Sequence, residues 1–336
     1  MRKKAMLYEK GEGTAVRCVL CAHRCVIPED SYGFCGVRKN EGGMLYSLVY
    51  GETIARNVDP IEKKPLYHFL PGSTSYSIAT IGCNFRCAFC QNWRISQLSY
   101  RNGDAFYGEK RLPEEIANDA RIAGCGSIAY TYTEPTIFFE YAYDTCHAAR
   151  GAKLANVFVT NGYMTAGAID AISDVLDAAN IDLKSFNDQY YRKNCRATLA
   201  PVLETIEYMK KKGIWIEITT LVVPGENDSD RELAETAGFI AGLDRNIPWH
   251  VSRFHPDYRF SDRPATSVET MRRAVEAGRE AGLRYVYAGN IPCDANTYCP
   301  SCGAVIVERT GFDADVVGLN DGKCRSCGSE IAGRWR

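Results

Sequence analysis

The residues best suited to chemistry are three cysteines, Cys83, Cys87 and Cys90, spaced C-x3-C-x2-C with an aromatic Phe89 just before the last. Three thiolates this close in one loop can grip one face of an iron–sulfur cubane, one sulfur to each of three irons. A [4Fe–4S] cluster normally takes four Cys, so three local ligands leave one iron open to a substrate or cofactor. A zinc reading needs a fourth ligand from elsewhere, because structural zinc is tetrahedral and closed.

The chain has 15 cysteines, and two further groups carry eight of the other twelve. Cys299-Pro-Ser-Cys302 and Cys324-Arg-Ser-Cys327 form two C-x2-C pairs, each followed by a glycine (Gly303, Gly328) that suits the knuckle turns of a zinc ribbon. Four thiolates close such a site, so its metal is structural, zinc being favoured over a rubredoxin-like iron. Cys18-Val-Leu-Cys21-Ala-His-Arg-Cys25 with Cys35 has the spacing C-x2-C-x3-C-x9-C. It suits zinc, with His23 as a substitute ligand, or a second iron–sulfur cluster that relays electrons. Zinc ranks slightly ahead. Cys125, Cys146, Cys195 and Cys293 are scattered and read first as small buried hydrophobes.

Something must hold the central loop in place. Between residues 76 and 290 strand-like and helix-like segments alternate. Ser77-Ile-Ala-Thr-Ile81 is a β-branched run that leads straight into the Cys loop. Pro113 opens a helix that closes at Gly124, Ser127 to Thr133 reads as a strand, and residues 135 to 150 as its helix. Val157 to Thr160 is a strand, Ala166 to Ala178 a helix, and Asn180 to Lys184 a strand. Further helices are expected over Pro201–Lys212, Asp230–Leu243 and Val268–Gly282, and strands over Ile214–Val223, Pro248–Phe254 and Tyr285–Ala288. About seven strands with intervening helices imply an α/β protein with a parallel sheet. Periodicity does not separate a barrel from an open sheet, but both put their sites at the carboxyl ends of the strands. The segments before residue 70 and after 291 lack this rhythm, so three units are expected: 1–70, 71–290 and 291–336.

Composition narrows the partners. Forty Lys and Arg against 41 Asp and Glu leave a formal charge of -1, with no bulk field for nucleic acid or an anionic membrane. The longest stretch free of charged side chains, Pro65 to Phe85, holds Pro71, Gly72 and five Ser or Thr, too polar to span a bilayer. Tyr8, Glu9 and Lys10 interrupt the basic start before a signal-peptide core forms. The expected compartment is the cytoplasm.

With the Cys triad after a strand that opens a βα series, the sequence resembles the radical S-adenosylmethionine (SAM) superfamily. The resemblance implies a partial (β/α) barrel of TIM-like form, with Cys83, Cys87 and Cys90 as ligands of a [4Fe–4S] cluster and Phe89 near the adenine of SAM. It also implies that Glu134, in Tyr132-Thr-Glu-Pro135, accepts hydrogen bonds from the SAM ammonium, although the two glycines usual before this Glu are missing. Asn161 would reach the same ligand. Asp182-Leu-Lys184 matches the Asp-x-Lys motif with which glycyl-radical-enzyme activating enzymes contact SAM. Val223-Pro-Gly225 matches a turn in those enzymes, but Asp230 and Arg231 stand near the place of their following His.

A resemblance over almost the whole chain rests on Asp59-Pro-Ile-Glu-Lys-Lys-Pro-Leu-Tyr-His-Phe-Leu-Pro-Gly72, Cys90-Gln-Asn-Trp93 and Pro248-Trp-His-Val-Ser-Arg-Phe-His-Pro256. These look like the radical SAM member of the AmmeMemoRadiSam system, a group related to pyruvate formate-lyase activating enzymes. It implies reductive cleavage of SAM to a 5′-deoxyadenosyl radical that abstracts hydrogen from a substrate. It also implies an electron donor such as ferredoxin or flavodoxin, and Memo-type and AMMECR-type proteins as partners. His250 and His255, at a strand end on the expected site face, are the candidate catalytic residues, for binding an anionic substrate or moving protons. His68 reads as structural or as part of a lid, and His147 as structural. Two alternatives remain: an activating enzyme for a glycyl radical enzyme, and a zinc-stabilised binding protein with no redox chemistry.

Overall fold

The computed structural model describes residues 1–103 and 108–336. Its centre is one eight-stranded sheet of β1 (Ala55–Pro60), β2 (Thr74–Ala79), β3 (Ser127–Tyr130), β4 (Ala155–Thr160), β5 (Ala178–Asp182), β6 (Trp215–Val222), β7 (Trp249–Arg253) and β8 (Val286–Gly289). Spatial order follows chain order. β2 to β8 are parallel, and β1 pairs antiparallel with β2. Among the described residues β1 and β8 are not paired with each other, so the sheet is open in its hydrogen bonding.

Among the described residues, the helices of seven residues or more in the connections are α1 (Pro113–Ile122), α2 (Phe139–Gly151), α3 (Ala166–Ile172), α4 (Ala200–Lys211), α5 (Asp230–Leu243) and α6 (Val268–Glu280). Their starts are chemically marked. Pro113 begins α1, while the side chains of Thr165, Ser229 and Ser267 accept the backbone N–H of Ala168, Glu232 and Thr270. The helix expected to run to Ala178 stops at Ile172. Ala178 instead pairs with Val157 and Trp215 in the middle of the sheet, where burial between two neighbours outweighs alanine's preference for helix.

The sheet reaches further toward the amino terminus than residue 70, since β1 pairs with β2 along its whole length. Ahead of it, small antiparallel ribbons carry the first Cys group; Val16–Cys18 pairs with both Tyr8–Lys10 and Val26–Ile27. At the other end Thr297–Tyr298, Val305–Thr310 and Asp313–Val316 make a three-stranded sheet, followed by the hairpin Leu319–Asn320 and Lys323–Cys324. Residues 61–70, between β1 and β2, lie as a strap against β6, β8 and the carboxy-terminal segment. The main-chain N–H groups of Tyr67 and His68 in it donate to Glu217 on β6, at 2.9 and 2.8 Å. No helix among the described residues is long and apolar enough to cross a membrane.

Candidate functional site

The loop after β2 turns sharply at Gly82, whose φ of +91° is open to glycine and strained for other residues. A Cβ there would also lie 2.8 Å from Val37 Cγ1 and 3.3 Å from the Cys35 carbonyl, so this turn lies flush against the amino-terminal ribbons. Backbone bonds from Arg86 N to Cys195 O (2.8 Å) and from Ala88 N to Asn194 O (2.9 Å) hold the loop from the other side. The Arg86 guanidinium donates to the carbonyls of Cys83 and Phe85. Cys83, Cys87 and Cys90 thereby all face one cavity of about 990 Å³.

These thiols fit a cationic cluster. Burial raises Cys83 and Cys90, while Cys87 is raised foremost by a hydrogen bond with Cys195 and then by burial. Left alone they stay protonated; iron offsets that cost by binding the thiolates. Donors toward sulfur already stand nearby, with Phe85 N 3.3 Å from Cys83 Sγ and Ser96 Oγ 3.2 Å from Cys90 Sγ.

Across the cavity, the carboxyl ends of the next strands supply Asn161, Asp182 and Lys184, and Phe89 joins them from the Cys loop. Lys184 Nζ lies 3.0 Å from Asp182 Oδ2 and 5.7 Å from the centre of the Phe89 ring. Burial works against this ammonium, yet the charge of Asp182 holds it well above the usual lysine range. The Asn161 amide donates to Asn84 Oδ1 at 2.7 Å. Glu134 does not line the cavity, contrary to the role expected for it. Its carboxylate is 1% exposed and accepts from Thr136 N, Thr136 Oγ1, Thr160 Oγ1 and Asn161 N, which fixes the ends of β3 and β4 together.

The two candidate histidines part company. His250 is buried on the cavity wall with Nε2 2.7 Å from Glu217 Oε2. His255 is exposed, pairs with Gln91 at 3.0 Å and does not line the cavity, because the chain leaves β7 before reaching it. His68 is fully buried outside the cavity wall, joined to Ala332 O and the Tyr287 hydroxyl, each at 2.7 Å. It is a joint between strap and carboxy-terminal module. His147 packs edge-on against Tyr143 of its own helix.

Sequence reasoning missed the inner end of the cavity, formed by Glu62, Lys64 and Tyr67 of the strap, with Arg309 and Phe312 from the carboxy-terminal module. Arg309 is buried, donates to the Tyr67 carbonyl at 2.6 Å and stands 3.9 Å from Glu62. Lys64 is paired with Asp59, which also accepts from Lys63, Ser77 and Tyr132. Glu217 had a visible signal: it is the one acid in an otherwise apolar strand sequence. Cys195 had none, since only the fold brings it to Cys87.

The carboxy-terminal cysteines converge. Among the described residues, Cys299, Cys302, Cys324 and Cys327 are the one set of metal-ligating side chains whose ligand atoms all lie within 4.8 Å of one another. Cys18, Cys21, Cys25 and Cys35 line a separate small cavity under the amino-terminal ribbons, together with His23, whose Nε2 lies 2.7 Å from Asn84 O.

Comparison with known proteins agrees with this layout. Residues 77–237 match the family model of the radical SAM superfamily. An uncharacterised protein of Methanocaldococcus jannaschii is 45% identical over 98% of both chains. The pyruvate formate-lyase 1-activating enzyme of Escherichia coli is 23% identical over 57% of this chain and 83% of its own. In fold, the crystal structure of Streptococcus suis SuiB bound to S-adenosylmethionine matches with a TM-score of 0.51 at 13% identity, over 69% of this chain and 53% of that one.

Proposed function

This chain belongs to the radical SAM superfamily as an enzyme related to pyruvate formate-lyase activating enzymes, and we propose that it cleaves SAM reductively and uses the radical on a substrate bound deeper in the same cavity. The observation that carries the reading is the meeting of Cys83, Cys87 and Cys90 with Asn161, Asp182 and Lys184 around one space of about 990 Å³. That volume has room for SAM and a further group.

Cys83, Cys87 and Cys90 would hold a [4Fe–4S] cluster. When bound, it supplies one electron to the sulfonium of SAM, whose cleavage yields the 5′-deoxyadenosyl radical that takes hydrogen from the substrate. The chain's own part is placement and exclusion of water. Asp182 and Lys184 offer one charge of each sign to the zwitterionic end of SAM, and the Phe89 face offers a surface for its ring. Glu134 acts indirectly by fixing the Asn161 backbone. At the inner end His250, oriented by Glu217, and Arg309 suit a substrate with an anionic group, and the strap keeps bulk water out. Cys299, Cys302, Cys324 and Cys327 would hold one zinc that keeps Arg309 and Phe312 in the wall.

The test is anaerobic. Dithionite-dependent formation of 5′-deoxyadenosine from SAM is expected, and its loss in Cys87→Ala. A chain that holds zinc throughout and never cleaves SAM would sink the reading. The relatedness to activating enzymes favours a second reading, in which the substrate is a glycine of a partner enzyme. A protein-borne glycyl radical signal in a mixture with that partner is its mark. Membership of the AmmeMemoRadiSam system, with Memo-type and AMMECR-type partners and a ferredoxin or flavodoxin donor, belongs to the same proposal.

A further inference from the structure

Two lysines of the strap share one acid, and only one of them is buried. Lys63 Nζ stands 2.8 Å from Asp59 Oδ1, and Lys64 Nζ stands 2.6 Å from Asp59 Oδ2. The same Oδ2 also accepts from the hydroxyls of Ser77, at 2.8 Å, and of Tyr132. Among the described residues Asp59 is the one acid that either lysine pairs with. Two ammonium groups and two hydroxyls therefore draw on a single negative charge. Lys63 keeps 48% of its side chain exposed and Lys64 only 2%, so the surplus positive charge falls hardest on Lys64.

Lys184 shows the opposite arrangement on the same cavity. It has Asp182 as its own partner at 3.0 Å and is held charged. Lys64 is lowered instead. Burial works against its ammonium, Asp59 offsets this only in part, and the charge of Lys63 adds to the loss. An amine so placed is a nucleophile rather than a fixed charge.

Its position makes the nucleophile usable. Lys64 is closed off from the outer surface yet lines the cavity of about 990 Å³, beside Lys63, Tyr67, Tyr132 and Arg309. The Tyr132 ring covers it, with its centre 4.7 Å from Nζ. Tyr132 itself is held at φ +59°, in the left-handed region that favours glycine. Such a conformation persists where its surroundings enforce it, and here Asp59 and Asn57 hold the hydroxyl. This end of the cavity is also cationic. Of the two acids on the cavity wall, Asp182 stands beside Phe89, and burial raises the carboxyl of the other, Glu62, toward its neutral form. An anionic group on a ligand would meet Lys63 and Arg309 there.

We propose that Lys64 is a catalytic nucleophile that holds the substrate as an imine, and that the substrate is a carbonyl compound bearing a carboxylate, of the oxo-acid class. The free amine of Lys64 adds to the carbonyl carbon. The carbonyl oxygen then leaves as water with the two amine hydrogens, and a C=N bond remains; no electron is gained or lost. The carboxylate lies toward Lys63 and Arg309. This names the substrate class for the function proposed above and rests on that reading of the cavity.

The test uses the wild-type chain. It is incubated with glyoxylate and cyanoborohydride, and the lysines that gain a carboxymethyl group are located by peptide mass spectrometry. Lys64 should be labelled about tenfold faster than Lys63 or any exposed lysine. Glyoxylate should also label it about tenfold faster than acetaldehyde, which has no carboxylate. Lys64→Arg keeps a cation on Asp59, and it should lose the label at that position while the other lysines keep theirs. Label on exposed lysines with none on Lys64 overturns the nucleophile, and equal labelling by acetaldehyde overturns the substrate class. The reaction needs neither cluster nor SAM, so the two readings fail separately. Labelled Lys64 in a protein that never cleaves SAM leaves the imine standing and the radical reading fallen. Formation of 5′-deoxyadenosine with Lys64 unlabelled does the reverse.

Discussion

Glu217 and His250 meet at 2.7 Å on adjacent parallel strands, and the carboxylate at the centre of that pair also ties down the strap through the N–H groups of Tyr67 and His68. One buried acid therefore orients a cavity histidine and fixes the wall opposite it. Burial raises its carboxyl, but His250, with His68 and Trp215, together more than reverse this, leaving it below the usual range.

Glu217→Gln replaces one acceptor oxygen with an amide that points at a donor. With Trp215 Nε1 as a fourth donor, no rotamer of Gln avoids this. Urea unfolding should register a loss of about 2–4 kcal/mol. His250→Asn leaves the other three donors satisfied and should cost only about 1 kcal/mol. Equal stabilities for the two variants would contradict this account.

Lys184 and Asp182 form a charged pair on the cavity wall beside Phe89 of the Cys loop. Lys184→Met should weaken SAM binding about tenfold, equivalent to about 1.4 kcal/mol, when measured by equilibrium dialysis on iron-loaded protein. The iron content itself should not change. An unaltered dissociation constant would remove the pair from the SAM site.

Arg309 links the carboxy-terminal module to the cavity through Tyr67, Ala295 and Thr297. Arg309→Met leaves Glu62 buried without its cation and the carbonyls of Ala295 and Tyr67 without a donor. A loss of about 3–5 kcal/mol is expected, together with faster proteolysis of the strap. If Cys299, Cys302, Cys324 and Cys327 hold the zinc proposed for them, a chelator should loosen the same strap in the wild type.

His68 makes stability depend on pH. Burial lowers it from an ordinary value near 6.5 to about 4, so between those values the unfolded chain binds a proton that the folded chain does not. Stability is complete above about pH 6.5 and falls as pH drops toward 4, by up to about 3 kcal/mol. Unfolding midpoints across that window should show the slope, and His68→Gln should flatten it. A slope that survives the substitution would place the titration elsewhere.

Much of the sheet was legible because its cause is local. The β-branched runs at Ser77, Val157 and Trp215, and the Pro, Ser and Thr that start helices, act within a few residues of themselves. The exceptions were Ala178, whose strand pairing comes from neighbours distant in sequence, and β1, which joins the sheet from ahead of the segment expected to form it. Cysteine spacing likewise picked out three groups, of which, among the described residues, only Cys299, Cys302, Cys324 and Cys327 bring their sulfurs within 4.8 Å of one another. Glu134 and His255 show where such reading stops. Both sit beside strand ends as a site residue should, but one points into a web of main-chain and hydroxyl donors and the other stands beyond the cavity rim.

The order of the chain by itself therefore determined the parallel α/β core, the central Cys loop at the end of a strand, and the radical SAM family to which these belong. Only the tertiary structure decided what closes the cavity and how far apart the sulfurs stand. The strap, Glu217 and Arg309 meet across up to 242 residues of chain, and sulfur spacing depends on how whole loops pack. Such contacts arise from burial and charge pairing between segments that carry no mark of each other.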